Sequence, residues 1–179
     1  MYHFAVIGTR DMTEAQREWV DSKLSYELGR CQVSGEKTTL HTGAALGTDQ
    51  WAAERWCGLG KQVQLHLPWS AYESYWVSDI RHRYAQQVEI EIEPCLADSD
   101  RYNVAVHHPR WDTLSQGAQK LHLRNHAIIA SCVQVYACPG IARWGGGTAM
   151  GIKLACHYRI ACDVFDPVLQ RDWSHCGCE

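Results

Sequence analysis

Three times in this 179-residue chain a short run of β-forming residues stops at a glycine-bearing turn and gives way to a helical pattern. Residues 2–7 end in Gly8-Thr9-Arg10. Residues 13–28 then place Trp19, Val20, Leu24 and Leu28 on one face, with Thr13 as N-cap. Residues 37–41 end in Thr42-Gly43-Ala44-Ala45-Leu46-Gly47, followed by a helix over 49–57. Residues 132–138 end in Pro139-Gly140, and Gly145-Gly146-Gly147-Thr148 opens a helix over 148–157. A further strand over 62–67 leads into Pro68-Trp69. This alternation predicts an α/β fold: a Rossmann-like, doubly wound, mainly parallel sheet flanked by helices. In such a sheet the turns after the strands share one rim, which is where open α/β folds bind ligands.

The rest of the chain is less regular. The spacing predicts a helix within 71–87, an edge strand at 88–92, a helix over 113–130 and a final strand at 160–165. Residues 94–111 carry loop chemistry, so an irregular insertion or mobile flap is expected over about 88–112. The reading is one domain over 1–166 and a tail, 167–179, without periodicity.

The chemistry expected at the rim is anion binding. Glycines let a phosphate approach the main chain without a Cβ in the way, and a helix N-terminus presents unpaired N–H groups along its dipole. The candidate ligand-binding residues are Gly8, Thr9 and Arg10; Thr42, Gly43, Ala44, Gly47 and Asp49; Pro68 and Trp69; Arg124 and Asn125; and Pro139, Gly145, Gly146, Gly147 and Thr148. Arg10, Arg124 or Arg143 would clamp a phosphate. Asp49 would accept from ribose hydroxyls or cap its helix. Trp69, like Trp76, Trp111 and Trp144, would stack on a base or anchor its loop.

Charge narrows the partners. Lys plus Arg number 17 against 20 Asp plus Glu, a formal net charge of −3, and no basic stripe of the kind that grips a nucleic-acid backbone is present. A small anionic ligand needs only local positive charge. No apolar run is long enough to cross a bilayer, and the opening MYHFAVIGTR reads as a strand rather than a signal peptide. The nine cysteines sit mostly in apolar or helical segments, like small hydrophobes in a reducing cytoplasm. His175, Cys176 and Cys178 lack a second ligand pair, so neither a metal nor a cofactor is expected. No Ser-His-Asp or Cys-His constellation is evident.

In order and spacing, Gly8-Thr9-Arg10, Thr42-Gly43-Ala44, Gly47-Thr48-Asp49, Arg124-Asn125, Pro139-Gly140 and Gly146-Gly147-Thr148 resemble the SLOG superfamily of Rossmann-like nucleotide-binding proteins. Its members include the LOG phosphoribohydrolases and the DprA DNA-processing proteins. The resemblance implies a nucleotide or nucleotide-derived signal as ligand, an ADP-ribose derivative or a cyclic nucleotide, and a homo-oligomer. The segment HPRWDTLSQGAQKLHLRN is similar to bacteriophage-encoded members, which implies sequestration of a host immune signal in the host cytoplasm. His122-Leu123-Arg124-Asn125 matches the LOG helix motif with asparagine in place of lysine, and Gly151 stands where LOG enzymes carry a catalytic glutamate. The resemblance therefore favours binding. An N-glycosidase or phosphoribohydrolase using another carboxylate is the alternative, and DprA-like single-stranded DNA binding is disfavoured by the acidic balance.

Overall fold

The computed structural model describes residues 1–140 and 146–175. Strands β1 (Tyr2–Gly8), β2 (Thr38–Thr42), β3 (Gln62–Leu67), β4 (Val88–Ile92), β5 (Gln134–Cys138), β6 (Ala161–Asp166) and β7 (Arg171–His175) form a sheet in the order β4-β3-β2-β1-β5-β6-β7. All pairings are parallel except β6 with β7. Successive strands run outward from β1 to β4, and the chain then returns to place β5 against the other side of β1. The strand order therefore reverses between β1 and β5, and it is there that a doubly wound sheet opens a crevice.

Helices α1 (Glu14–Ser34), α2 (Thr48–Gly58) and α3 (Ser74–Arg83) cover one face. Phe4, Val6, Leu40, Leu65 and Leu67 from the strands meet Val20, Leu24, Trp56 and Ile80 from these helices. Helix α1 starts where its sequence dictates: the Thr13 side chain accepts from Gln16 N–H, and Gln16 Oε1 accepts from Thr13 N–H. Gln16 is fully buried and its Nε2 donates to Pro139 O at 2.8 Å, tying the start of α1 to the end of β5. The helix closes on Gly35 in the left-handed region, φ +70°.

Helices α4 (Asp98–His107), α5 (Gln116–Ala130) and α6 (Gly146–His157) form the second layer. Ile128, Ile129 and Leu154 pack there against Ala5, Ile7, Val135 and Val164. This layer is incomplete. Helix α6 lies on β1, β5 and β6, while on the β2–β4 side the extended contact is α5 with β3. Purely parallel sheets usually bury both faces. The second face of β2, β3 and β4 instead carries Thr39, His41, Gln62, Gln64, His66, Glu89 and Glu91, the polar halves of alternating strands.

Across this polar half runs a ladder of histidines. His3 Nδ1 is 2.8 Å from His41 Nε2, and His41 Nδ1 is 2.9 Å from His66 Nε2. Glu91 Oε2 lies 2.7 Å from His66 Nδ1, close but out of line for a hydrogen bond. Burial holds His41 in its neutral form, its pKa down to about 4, and His3 adds to the effect; burial, His41 and Arg124 push His66 to about 3.

Two segments differ from the sequence reading. Residues 94–111 are not an irregular insertion: they contain α4, followed by a single 3-10 turn at Trp111–Thr113. Asp98 and Asp100 occupy the first turn of α4, where acidic side chains complement the helix dipole. Its fully buried residue is Val104, and one apolar anchor leaves no period to detect. The tail also contains a strand, since β7 pairs antiparallel with β6. Asp166 Oδ1 accepts from the N–H groups of Val168 and Leu169, turning the chain. Trp19 Nε1 and Lys23 Nζ both donate to Asp172 of β7. Strand β6 is thus an inner strand. No helix among the described residues is long and apolar enough to cross a membrane.

Candidate functional site

At the rim, the turn after β1 and the start of α2 meet backbone to backbone. Thr48 N–H donates to Thr9 O at 3.1 Å and Thr48 Oγ1 donates to the same oxygen at 3.0 Å. A Cβ on Gly8 would collide with the Thr48 side chain. One on Gly47, at φ +88°, would collide with the carbonyl oxygens of Thr9 and Arg10. These glycines allow two turns to touch.

The turn after β2 is a nest for an anion, and the anion is the chain's own. Ala44 takes a left-handed φ of +62°, a conformation that gathers successive N–H groups inward. The Asp49 carboxylate accepts from Ala45 N–H at 3.3 Å and lies close to the N–H groups of Gly8 and Gly43. Arg124 Nη1 lies 3.5 Å from Asp49 Oδ2 and donates to Gly43 O in a short contact. Gly43 has no room for a Cβ because Arg124 occupies that space. Burial raises the Asp49 pKa, opposed by Arg124 and the three N–H groups.

Above this pair is a cavity of about 240 Å³, lined by Ile7, Gly8, Arg10, Ala45, Asp49, Tyr72, Ala118, Leu121, His122, Arg124, Asn125, Gly147 and Thr148. It lies beside the β1–β5 reversal. Three lining side chains each carry a buried polar atom without a partner: Tyr72 Oη, His122 Nδ1 and Arg124 Nε. These residues are 6%, 8% and 5% exposed. Buried polar atoms in native proteins are normally paired, and leaving one unpaired costs about 1–3 kcal/mol. Three of the residues that line this cavity therefore carry a polar atom that the protein itself leaves unpaired. At its open side Gly146 and Gly147, the exposed first residues of α6, bring N–H groups and the positive end of the helix dipole. Asn125 Nδ2 donates to Gly147 O at 3.0 Å and fixes that helix start to α5. Arg10 is exposed and has no ion-pair partner among the described residues. The guanidinium of Arg124 is matched by Asp49, so Arg10 and α6 supply the uncompensated positive potential.

Of the residues expected at the site, Gly8, Arg10, Asp49, Arg124, Asn125, Gly147 and Thr148 line the cavity. Thr9, Thr42, Gly43, Ala44, Gly47 and Pro139 lie behind it and build the turns: Thr42 Oγ1 donates to Val6 O, and Thr9 N–H to Cys138 O. Pro68 is buried, and Trp69 packs edge-on against Tyr72, with centroids 5.1 Å apart, away from the lining. Gly146 borders Gly147. Gly145, like Arg143, Trp144, Cys176 and Cys178, lies outside the described residues. Tyr72 and His122 are additions. His122 had a signal, because Ala118, Leu121, His122 and Asn125 follow helical spacing and all face the cavity. Tyr72 follows a turn whose path the sequence does not reveal.

Gly151 is buried and does not line the cavity; its Cβ position is filled by Ile7 Cδ1, with Ile129 Cδ1 at 3.9 Å. A glutamate there enters hydrocarbon. Gly151→Glu is expected to lower stability by about 2–3 kcal/mol, from overpacking and a desolvated carboxylate, without creating base release from nucleotides. Urea unfolding and chromatography of the products check both halves.

No protein-family model matches the chain, and no curated protein matches it in sequence. Among solved structures it is similar to DNA processing protein A (DprA) from Streptococcus pneumoniae. The TM-score is 0.61 at 15% identity, over 91% of this chain and 50% of that one. It is also similar to DprA from Helicobacter pylori, a structure described for its single-stranded DNA binding mode. There the TM-score is 0.60 at 22% identity, over 91% of this chain and 64% of that one. The chain thus spans half to under two thirds of these proteins' length. At such identities the likeness is one of fold, and it agrees with the Rossmann-like architecture read from the sequence.

Proposed function

We propose that this protein binds a nucleotide or nucleotide-derived signalling molecule, such as an ADP-ribose derivative or a cyclic nucleotide, and holds it without turnover. The observation that carries this is the trio of unpaired buried polar atoms, Tyr72 Oη, His122 Nδ1 and Arg124 Nε, around a cavity beside the N-terminus of α6. A phosphate sits at Gly147 and Thr148 with Arg10 above it, and the remainder of the ligand lies against Tyr72, His122 and Arg124. Breaking an N-glycosidic bond calls for a carboxylate at the reacting carbon. The lining carboxylate is Asp49, engaged by Ala45 N–H and by Arg124.

The H. pylori neighbour, described by its single-stranded DNA binding, supports a second reading in which the cavity receives one nucleotide of a strand. The net charge of −3 opposes it, since strand binding draws on many phosphate contacts. The test is equilibrium binding to a panel of nucleotides, ADP-ribose, cyclic nucleotides and a single-stranded oligonucleotide, with mass spectrometry of what is released. Intact small molecule at stoichiometric occupancy is expected. Thr148→Val is expected to weaken that binding by roughly 10- to 150-fold, the loss of a hydrogen bond to a charged group worth about 1.5–3 kcal/mol. Free base among the products, or binding of the oligonucleotide alone, overturns the proposal.

A further inference from the structure

Arg124 is a buried cation whose charge helps to keep two histidines neutral, His66 of β3 and His122, two residues earlier on α5. The His122 ring also packs on His108, the C-cap of α4, with centroids 4.6 Å apart and planes inclined at 53°. Around the cavity the other titratable or charged groups are Arg10 from the β1–α1 turn, Tyr72 from the β3–α3 turn and Asp49 from α2. From α6 come Gly147 and Thr148, which do not titrate. His122 therefore sees a guanidinium and an imidazole, while the one lining carboxylate already faces Arg124 and backbone N–H groups. Its Nδ1 is buried and unpaired.

Such a nitrogen has two ways to be satisfied. As a lone pair it needs a donor from the ligand. As an N–H on a charged ring it needs an anion, and it needs that anion to outweigh Arg124 and His108. The protein itself offers neither; burial, with His108 and Arg124 adding to it, brings the ring's pKa down to about 4. A phosphate at the start of α6 changes the balance. Asn125, one helical turn along α5 from His122, donates to Gly147 O, and His122, Gly147 and Thr148 line the same cavity, so an anion seated at Gly147 and Thr148 shares that cavity with the imidazole. Opposite charge close to the ring favours its protonated form.

We infer that an anionic ligand entering this cavity brings a proton with it onto His122. Binding is then linked to pH, and the site prefers ligands whose phosphate reaches the His122 edge over neutral nucleosides. This rests on the binding reading above and names the regulation of the same site. The sign follows from linkage. The empty site binds the proton only near pH 4, the occupied site binds it at higher pH, and affinity therefore rises on acidification between those two values.

ADP-ribose is a suitable probe, because its pyrophosphate does not titrate between pH 5 and 8 and any dependence belongs to the protein. Calorimetry in two buffers of different ionisation heat is expected to show net uptake of up to about one proton per site at pH 6–7. The Kd is expected to fall by up to about tenfold per pH unit from 7 towards 5. His122→Asn keeps a hydrogen-bonding group near the Nδ1 position and cannot titrate; it is expected to bind with a flat pH profile and no proton uptake. Binding by the wild-type protein without proton uptake overturns the inference and leaves the binding reading standing. A pH slope retained in His122→Asn overturns it as well, by moving the proton to His108 or His66. Absence of ADP-ribose binding at every pH overturns the inference for this probe together with the reading beneath it, and the wild-type measurement decides this whether or not the variant folds.

Discussion

Asp49→Ala is expected to destabilise the protein by about 3–5 kcal/mol, the usual cost of removing one partner of a buried ion pair. The substitution strands the Arg124 guanidinium, 5% exposed, and at the same stroke leaves Ala45 N–H without its acceptor and removes the carboxylate from beside the N–H groups of Gly8 and Gly43. A smaller loss is expected for Asp49→Asn, which returns an acceptor oxygen without the charge. The nest itself gives the decisive check. If these donors and Arg124 form an anion site occupied by Asp49, then formate or acetate refills it in Asp49→Ala. Thermal unfolding at constant ionic strength is expected to show a higher Tm in formate than in chloride for the variant, and equal Tm values for the wild type. A variant as stable as wild type, or one indifferent to formate, refutes this account of the turn.

That turn also shows where sequence reading succeeds and where it stops. Glycines after strands announce the rim, and Thr13 with Gln16 announces the start of α1, because both are local: a positive φ or an orphan N–H dictates the residue type within a few positions. What the glycines are for is not local. Gly8 and Gly47 yield to each other's turns, and Gly43 yields to a guanidinium 81 residues further along the chain. A reading that expects phosphate against every rim glycine has no means of knowing that protein atoms already stand there. Helix α4 escaped for the opposite reason, since its core contribution is one valine. Strand β7 escaped because its order comes from Asp172, which answers Trp19 and Lys23 about 150 residues earlier. The cavity was visible in outline through Arg124, Asn125 and Thr148, but its unpaired atoms exist only in three dimensions.

Acid is expected to unfold this protein early, and the histidine ladder is the reason. In the unfolded chain His41 and His66 titrate near ~6.5; in the folded sheet they do so at about 4 and about 3. Protons therefore bind the unfolded state first. The stability that goes with neutral histidines is complete above ~6.5 and falls as pH drops below it, by up to ~1.4 kcal/mol per pH unit for each histidine. By pH 5 His41 alone accounts for a loss of about 2 kcal/mol, and His66 adds less than that because Glu91, 2.7 Å from its Nδ1, favours the protonated ring. The Asp49 carboxyl, raised by burial, works in the opposite direction: it takes up its proton in the folded state at a pH above the ~3.9 of the unfolded chain, which offsets part of this loss. Urea unfolding at intervals from pH 8 to 5 measures the slope. Replacing His41 and His66 by glutamine is expected to flatten it, even where the variants are less stable at pH 8. A wild-type profile that is level over that range contradicts the neutral ladder.

The polar second face of β2, β3 and β4 has a consequence for how the molecule breathes. Local opening costs least where the fewest apolar contacts are lost, and regions of a protein exchange their amide hydrogens accordingly. The β1–β5–β6 half of the sheet is clamped between two helical layers, so its amides wait for global unfolding. The β2–β4 half gives up one hydrophobic layer when it opens, and β4, at the edge, gives up only one strand neighbour as well. Asp49 and its nest follow the end of β2, and α5, which carries Arg124, contacts β3, so the cavity straddles a slow half and a fast half. A ligand that touches both walls acts as a staple across that divide, and its binding would be registered as slowed exchange along β2 and β3, far from any atom it contacts.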